Sequence, residues 1–392
     1  MKIIWQEMKK IVSVKKLLYL AGFYALYFML FLKPYVRQPH AFSYHQEADL
    51  VKSFIEEYGV TLTPEEFQEL KSRQPEYVYD EIDQYIASNQ EFQELGIRNF
   101  REFTGSQRGK ELTLEEDNRL WLQLYDAIPA DRVTEKVTSE VTNGIWTQYI
   151  DTYEQETAGR TVYYKDLNQT AQQERLKERG EKEVYGLMPG GVLYTNFEVL
   201  RLTGAFMTLA MLFMILPYMV SENRSRMPSL QYSFQKGRRH YGCRVAAVLL
   251  SCVLIAALTV AVYMKIAAGN RVTDFWNCSI SAYSTAYISW FPWTLGEYTF
   301  FHLLIAAAFS TGLALGVFVV SHYLENYVTA IAWVLPAAVG GVFFCGIVLC
   351  GFGEITRAKW PVPLTGAGIL GLGIVTALLE GCRERRRDVG MF

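Results

Sequence analysis

The sequence predicts an α-helical polytopic membrane protein: six transmembrane helices plus a mainly α-helical extracellular domain. Three observations carry this expectation. Six apolar stretches, 17–33, 199–220, 245–268, 299–321, 327–351 and 363–381, lie close to the roughly 20 residues that cross a hydrocarbon core about 30 Å thick. A long hydrophilic segment, 34–197, separates the first stretch from the other five. Outside the hydrophilic segment, basic residues gather mainly before the first stretch, between the second and third, and after the sixth.

The mean hydropathy of +0.07 blends two unlike parts. Segment 34–197 holds 30 acidic against 17 basic residues, a formal charge of −13, and the remainder holds 21 basic against 10 acidic, a charge of +11. Lys2, Lys9, Lys10, Lys15 and Lys16 precede the first span. Arg224, Arg226, Lys236, Arg238, Arg239 and Arg244 lie between the second and third, and Arg383, Arg385, Arg386 and Arg387 follow the sixth. Positive charge near span ends marks the cytosolic side. Six crossings then place both termini in the cytosol and the acidic segment outside, in a bacterial cell membrane, while the turn around Glu325 carries no charge signal of its own.

A cleaved signal peptide is the alternative for residues 1–32. The apolar run is long for one, and Lys33, Pro34, Tyr35 and Val36 follow it where a small-x-small cleavage site is needed. Cys243, Cys252, Cys278, Cys345, Cys350 and Cys382 all sit in or beside the spans, so no disulfide is expected in the acidic domain, and their spacing fits no zinc motif.

Within that domain, Thr63-Pro64-Glu65-Glu66 combines a cap residue, a proline at the first helical position and early acids, which marks a helix start. Thr113 followed by Glu115, Glu116 and Asp117 marks another, with Leu120, Trp121, Leu124, Tyr125 and Ile128 along one face. The highly charged stretch 167–183 reads as an exposed helix or a mobile arm, and a strand is possible near 160–164. At the N-terminus, 1–16, Ile4, Trp5, Met8, Ile11 and Val12 oppose Lys2, Lys9, Lys10 and Lys16. That pattern predicts an interfacial helix with its lysines toward anionic headgroups.

Ionisable residues are sparse inside the spans, where burying a charge costs about 2.5–3.5 kcal/mol or more. Arg201, Lys265 and Glu380 are placed to snorkel from span ends, and His302 is expected to be a packed, hydrogen-bonded side chain. Any uphill transport therefore needs energy from a partner. Gly366-Ala-Gly368-Ile-Leu-Gly371 matches a dinucleotide-binding pattern but lies inside an apolar span, where glycines serve close helix packing. The chain contains no G-x-x-x-x-G-K-[ST], H-E-x-x-H or G-x-S-x-G. No catalytic residues, metal ligands or bound cofactor are expected in it, and nucleic acid is not an expected partner. His40 and His45 read as loop residues.

The most distinctive segment is 221–244, between the second and third spans. It contains Glu222 just past the membrane, a short Pro228-initiated stretch, and a Gly237-Arg238-Arg239 elbow back into the bilayer. This pattern resembles the first cytosolic loop of ABC-2-type transporter permeases, in which an acid after the second span is followed by a short coupling helix, a Ser-x-x-x-Gly-Arg-like element and the third span. Here Ser233, Gly237 and Arg238 stand in that element. The order of six spans, the basic N-terminus and the outer domain agree with the same family. The long insertion between spans one and two looks more like its lipid-, peptide- and ion-exporting branches.

The resemblance implies that Glu222, Met227, Pro228, Leu230, Tyr232, Ser233, Phe234, Gly237 and Arg238 couple to a separate ABC ATPase. That subunit would supply ATP and magnesium, and two permease chains, identical or not, would pair in the lipid bilayer. The expected function is a non-catalytic permease subunit exporting a peptide, lipid or hydrophobic compound. Pro217, Pro336, Gly340 and Gly341 offer kink sites for such movement. The rival is a membrane-anchored sensor or immunity protein acting through its outer domain, although no cytosolic segment is long enough for an output domain. A passive channel is disfavoured because no span carries a polar stripe. The loop 269–298 reads as an aromatic belt, or as a substrate exit lined by Trp290, Phe291 and Trp293. The 382–392 tail is cytosolic and basic in this scheme.

Overall fold

The computed structural model describes residues 2–37, 42–72, 80–100, 102–103, 114–128, 150–151, 170–178, 185–224, 240–282 and 287–386. It is mostly helical. Among the described residues there is no strand, and the isolated bridges join Ser279 to Thr294 and Ser289 to Glu354. Six helices are long and apolar enough to cross a membrane, as the hydropathy predicts: Val14–Val36, Gly190–Arg224, His240–Gly269, Leu295–Ser321, Tyr327–Val348 and Pro361–Glu384. They are called spans one to six below. Span two, at 35 residues, is about 52 Å long and so stands out of the hydrocarbon at its ends.

Two compact units divide the chain: residues 1–41 with 162–392, and residues 42–161. The second unit is narrower than the acidic segment, because 162–197 groups with the spans. In the first unit, span two is the central helix, 72% of its apolar window being buried against 17% for spans one and six and 22% for span five. The outer helices therefore expose apolar side chains such as Leu30, Trp333 and Leu379, a surface suited to lipid.

Close packing is set by small residues at helix crossings. A Cβ on Gly312 of span four would sit 2.4 Å from the Ile369 carbonyl oxygen, and one on Gly373 of span six 2.5 Å from the Gly312 carbonyl oxygen. Spans four and six thus touch backbone to backbone. Of the three glycines expected to mediate close packing, Gly366 lies against Ile305, whereas Gly368 and Gly371 face open space. Gly341 of span five is pressed against Thr208 of span two. Thr208 Oγ1 also bonds Ser310 Oγ at 2.7 Å and lies 3.6 Å from Cys345 Sγ, so three spans share a buried polar knot. Two spans leave regular α geometry in π-helical turns, Phe28–Leu32 in span one and Phe344–Val348 in span five. Pro217 and Pro336 lie inside helices.

The end of the bundle opposite the N-terminal helix, the far end, is closed by loops. Trp290 N and Ile355 N donate to the Gly353 and Ile288 carbonyls at 2.7 and 2.8 Å, so the loop after span three pairs with the loop after span five. Gly353 sits at φ 81° beneath the Trp293 ring, a place closed to other residues by backbone and space together. Helix Thr170–Glu178 docks on this cap: Gln172 Nε2 donates to the Ile355 carbonyl at 2.7 Å and Arg175 Nε to the Ser289 carbonyl at 3.1 Å, both buried. Of the stretch 167–183, expected as an exposed helix or a mobile arm, the described part 170–178 is a helix with mostly exposed side chains, tied down by two buried polar side chains that satisfy loop carbonyls which backbone pairing leaves over.

The unit 42–161 has its own helices and core. The expected helix start is present at Pro64–Ser72, and Thr63 and Glu66 cap it reciprocally: Thr63 N donates to Glu66 Oε2 at 2.7 Å and Glu66 N to Thr63 Oγ1 at 3.2 Å. Helix Leu114–Ala127 presents Leu120 and Leu124 to a cluster with Ile82, Ile86, Phe92, Phe100 and Phe103, and Trp121 packs beside it. Thr113 and the strand considered near 160–164 lie outside the described residues.

The glycine contacts make a differential prediction. Gly373→Ala forces the span four–six crossing apart and is expected to destabilise by about 1–3 kcal/mol, whereas Gly368→Ala meets nothing. Thermal denaturation of the two variants in one detergent should lower the midpoint for the first and leave the second at wild type.

Candidate functional site

Three chain segments meet at the near end, where span two ends and span three begins. The N-terminal helix Lys2–Ile11 lies against span three. Its one acid, Glu7, is 3% exposed. Glu7 Oε1 accepts from Lys10 Nζ at 2.8 Å and lies 3.6 Å from His240 Nε2, and Oε2 accepts from the Tyr218 hydroxyl at 2.5 Å. Lys10 Nζ also donates to Glu222 Oε1 at 2.7 Å, and the Arg244 guanidinium donates to Glu222 Oε2. Glu7, Lys10, Tyr218, Glu222, His240 and Arg244 thus form one network across the N-terminal helix and spans two and three. Arg244 is among the largest fully buried side chains.

The electrostatics follow from this geometry. Burial pushes the Glu7 carboxyl up, but hydrogen bonds from Lys10 and Tyr218 and the charges of Lys10 and Arg244 outweigh it and hold Glu7 below the ordinary carboxylate range. Burial pulls Lys10 down, and its bonds to Glu222 and Glu7 more than reverse that. Of the lysines expected to face headgroups, Lys10 is held by two carboxylates of the protein, Glu7 and Glu222.

A second polar group continues the layer. Asn223 Nδ2 lies 2.9, 2.9 and 3.0 Å from the carbonyl oxygens of Ser321, His322 and Leu324, tying the end of span two to the end of span four. His322 Nε2 is 3.0 Å from Glu384 Oε1, and the Tyr323 hydroxyl donates to Glu380 Oε1 at 2.5 Å. Glu380 is buried, so it does not snorkel to the interface as expected: a hydroxyl partner within the protein takes the place of water.

Of the expected coupling residues, Glu222 is described. Met227, Pro228, Leu230, Tyr232, Ser233, Phe234, Gly237 and Arg238 lie outside the described residues. What the structure does define is both roots of that segment: Glu222 and Asn223 on one side, His240 and Arg244 on the other, all drawn into the buried layer. At the far end, Trp290, Phe291 and Trp293 are brought together, half-buried. Phe291 and Trp293 stack at 4.2 Å, Trp293 meets Phe301 and Phe352 at 5.1 and 5.2 Å, and Trp290 Nε1 donates to the Arg357 carbonyl at 2.7 Å. His302 is buried and packed, with the Tyr298 ring 5.8 Å away, as expected, but neither ring nitrogen has a hydrogen-bond partner among the described residues, which corrects the expectation of a hydrogen-bonded histidine.

Sequence reasoning missed Glu7, Lys10, Tyr218 and Arg244 as a unit. One signal was available, the single acid in a lysine-rich N-terminal helix. No protein-family model, curated protein or solved structure matches this chain.

Two predictions follow from the network. Glu222→Ala removes the carboxylate shared by Lys10 and buried Arg244, and a broken buried pair costs about 3–5 kcal/mol; the thermal midpoint in nanodiscs should fall by many degrees, and Glu222→Gln should recover part of the loss. In pH, the contribution of Glu7 is complete above its ordinary value of 4.5 and is lost as pH falls through the lower folded value. That of Lys10 is complete below 10.5 and is lost as pH rises through its raised folded value. Hydrogen exchange of residues 2–11 should show the helix docked across neutral pH and released at either extreme.

Proposed function

We propose that this chain is the permease subunit of an ATP-binding-cassette exporter of the ABC-2 type, working as a pair of permease chains with ATPase subunits supplied in trans. The observation that carries the proposal is the anchoring of both roots of segment 225–239 in one buried layer. A force applied to that segment by a partner passes directly into spans two and three through Glu222 and Arg244. It also reaches span four through Asn223 and the N-terminal helix through Lys10.

In this scheme Glu222 holds the root of the loop, while Met227, Pro228, Leu230, Tyr232, Ser233 and Phe234 meet the ATPase. Gly237 and Arg238 form the return elbow. ATP and magnesium belong to the partner, and its closure tilts spans two and three as a unit. The π turns in spans one and five, with Pro217 and Pro336, are places where a helix yields without unfolding. The backbone-to-backbone crossing of spans four and six makes that pair the rigid side. The cargo proposed is a peptide, lipid or hydrophobic compound leaving past Trp290, Phe291 and Trp293, with the acidic unit facing outward and both termini in the cytosol.

Purification of the tagged chain from its native host in mild detergent, with mass spectrometry of what accompanies it, tests this. A nucleotide-binding ATPase is expected with wild type and is expected to be lost with Leu230→Asp, a variant within the proposed coupling segment. Absence of any ATPase after crosslinking would remove the energy source and with it the proposal.

A further inference from the structure

The ends of spans four and six place one imidazole and two carboxylates in a single buried cluster. Glu380 and Glu384 are one turn apart on the same face of span six, and His322 caps the end of span four. Each offers a ligand atom, and these atoms all lie within 4.8 Å of one another. His322 and Glu384 side chains are 4% and 0% exposed, and Glu380 is 7% exposed as a residue.

We infer that His322, Glu380 and Glu384 form a binding site for a divalent first-row transition metal ion that clamps span six to span four. The distances suit an ion. His322 Nε2 and Glu384 Oε1, 3.0 Å apart, can both stand about 2.1 Å from a common centre, which is the reach of zinc-type nitrogen and oxygen ligands. In a tetrahedral site such ligand atoms are about 3.4 Å apart, so a pair as far as 4.8 Å apart must close by about 1.4 Å on binding. The long unbranched glutamate side chains supply that movement. One imidazole with two carboxylates and no thiolate favours zinc, manganese or iron over calcium and magnesium, which take oxygen ligands.

The surroundings suit a ligand set. Two carboxylates sharing a buried site repel unless a proton or cation lies between them, and a divalent ion held by both supplies that charge. A supporting shell is already present. The Tyr323 hydroxyl holds Glu380 and accepts from Arg383 Nη1 at 3.2 Å, and the Tyr241 ring stands edge-on to His322 at 6.1 Å. Asn223 reaches the carbonyl of His322 itself at 2.9 Å. Metal occupancy would therefore brace the end of span four, to which the root of segment 225–239 is tied. The site itself does not depend on the transport proposal.

The test uses the full chain in nanodiscs after chelation and dialysis. Manganese and zinc are titrated separately, with binding read by elemental analysis after gel filtration and by the metal-dependent shift in thermal midpoint. One ion per chain is expected for wild type, with affinity about tenfold or more weaker in His322→Gln and Glu384→Gln and unchanged in His45→Gln. Manganese bound to wild type should show a nitrogen coupling from one imidazole in its pulsed paramagnetic resonance spectrum. That last measurement needs no variant to fold. Absence of binding to wild type, bound manganese without nitrogen coupling, or equal affinity in folded His322→Gln would each overturn the site.

Discussion

Burying Arg244 at the root of span three is the constraint on which the rest of the near end depends. A guanidinium removed from water is tolerable only with a carboxylate in hydrogen-bonding contact, and Glu222 supplies it from the end of span two. Glu222 has a second oxygen to satisfy, which brings in Lys10 and with it the whole N-terminal helix. Lys10 in turn engages Glu7, and Glu7 takes the Tyr218 hydroxyl. Each step satisfies a group that the previous one left over. The result is a set of paired charges that holds an amphipathic helix and two long spans in a single arrangement.

The two ends of the bundle solve the problem of leaving the membrane differently. At the near end, ionised side chains do it, in a layer that extends through Asn223 to span four. At the far end, backbone and aromatic rings do it: two loops share hydrogen bonds, Gln172 and Arg175 cover surplus carbonyls, and Trp293 fills the centre. A charged layer with defined partners transmits a pull along fixed bonds, whereas an interlocked cap of rings resists opening. That asymmetry agrees with force arriving through segment 225–239 in the proposed exporter, with the far end answering to it.

Between the ends, contact between spans is a matter of small residues. Gly312 and Gly373 let spans four and six meet at the backbone, and Gly341 makes room for Thr208. The sequence pattern drew notice to Gly366, Gly368 and Gly371, of which only Gly366 is at a crossing. A run of glycines marks a helix that can be approached closely. Which of its faces is approached depends on where the partner helix lies, and the spacing within one helix does not contain that.

The spans themselves were legible because a bilayer leaves little choice: about 20 apolar residues with every backbone group bonded internally must be a helix. The Thr63–Glu66 cap and the apolar face at Leu120 and Leu124 were legible for a similar reason, since capping and helical periodicity act within a few residues. The candidate site was legible only in part. Glu222 stood out by its place after a span, but its partners are Lys10, far away in the chain, and Arg244, across the loop. His322 meets Glu384 in the same way, across two spans. Local forces act on neighbours in sequence, so the sequence alone determined which segments are helical and which are apolar. Charge pairing, the meeting of His322 with Glu380 and Glu384, and backbone contact act between segments that only the packed bundle brings together, and those the tertiary structure decided.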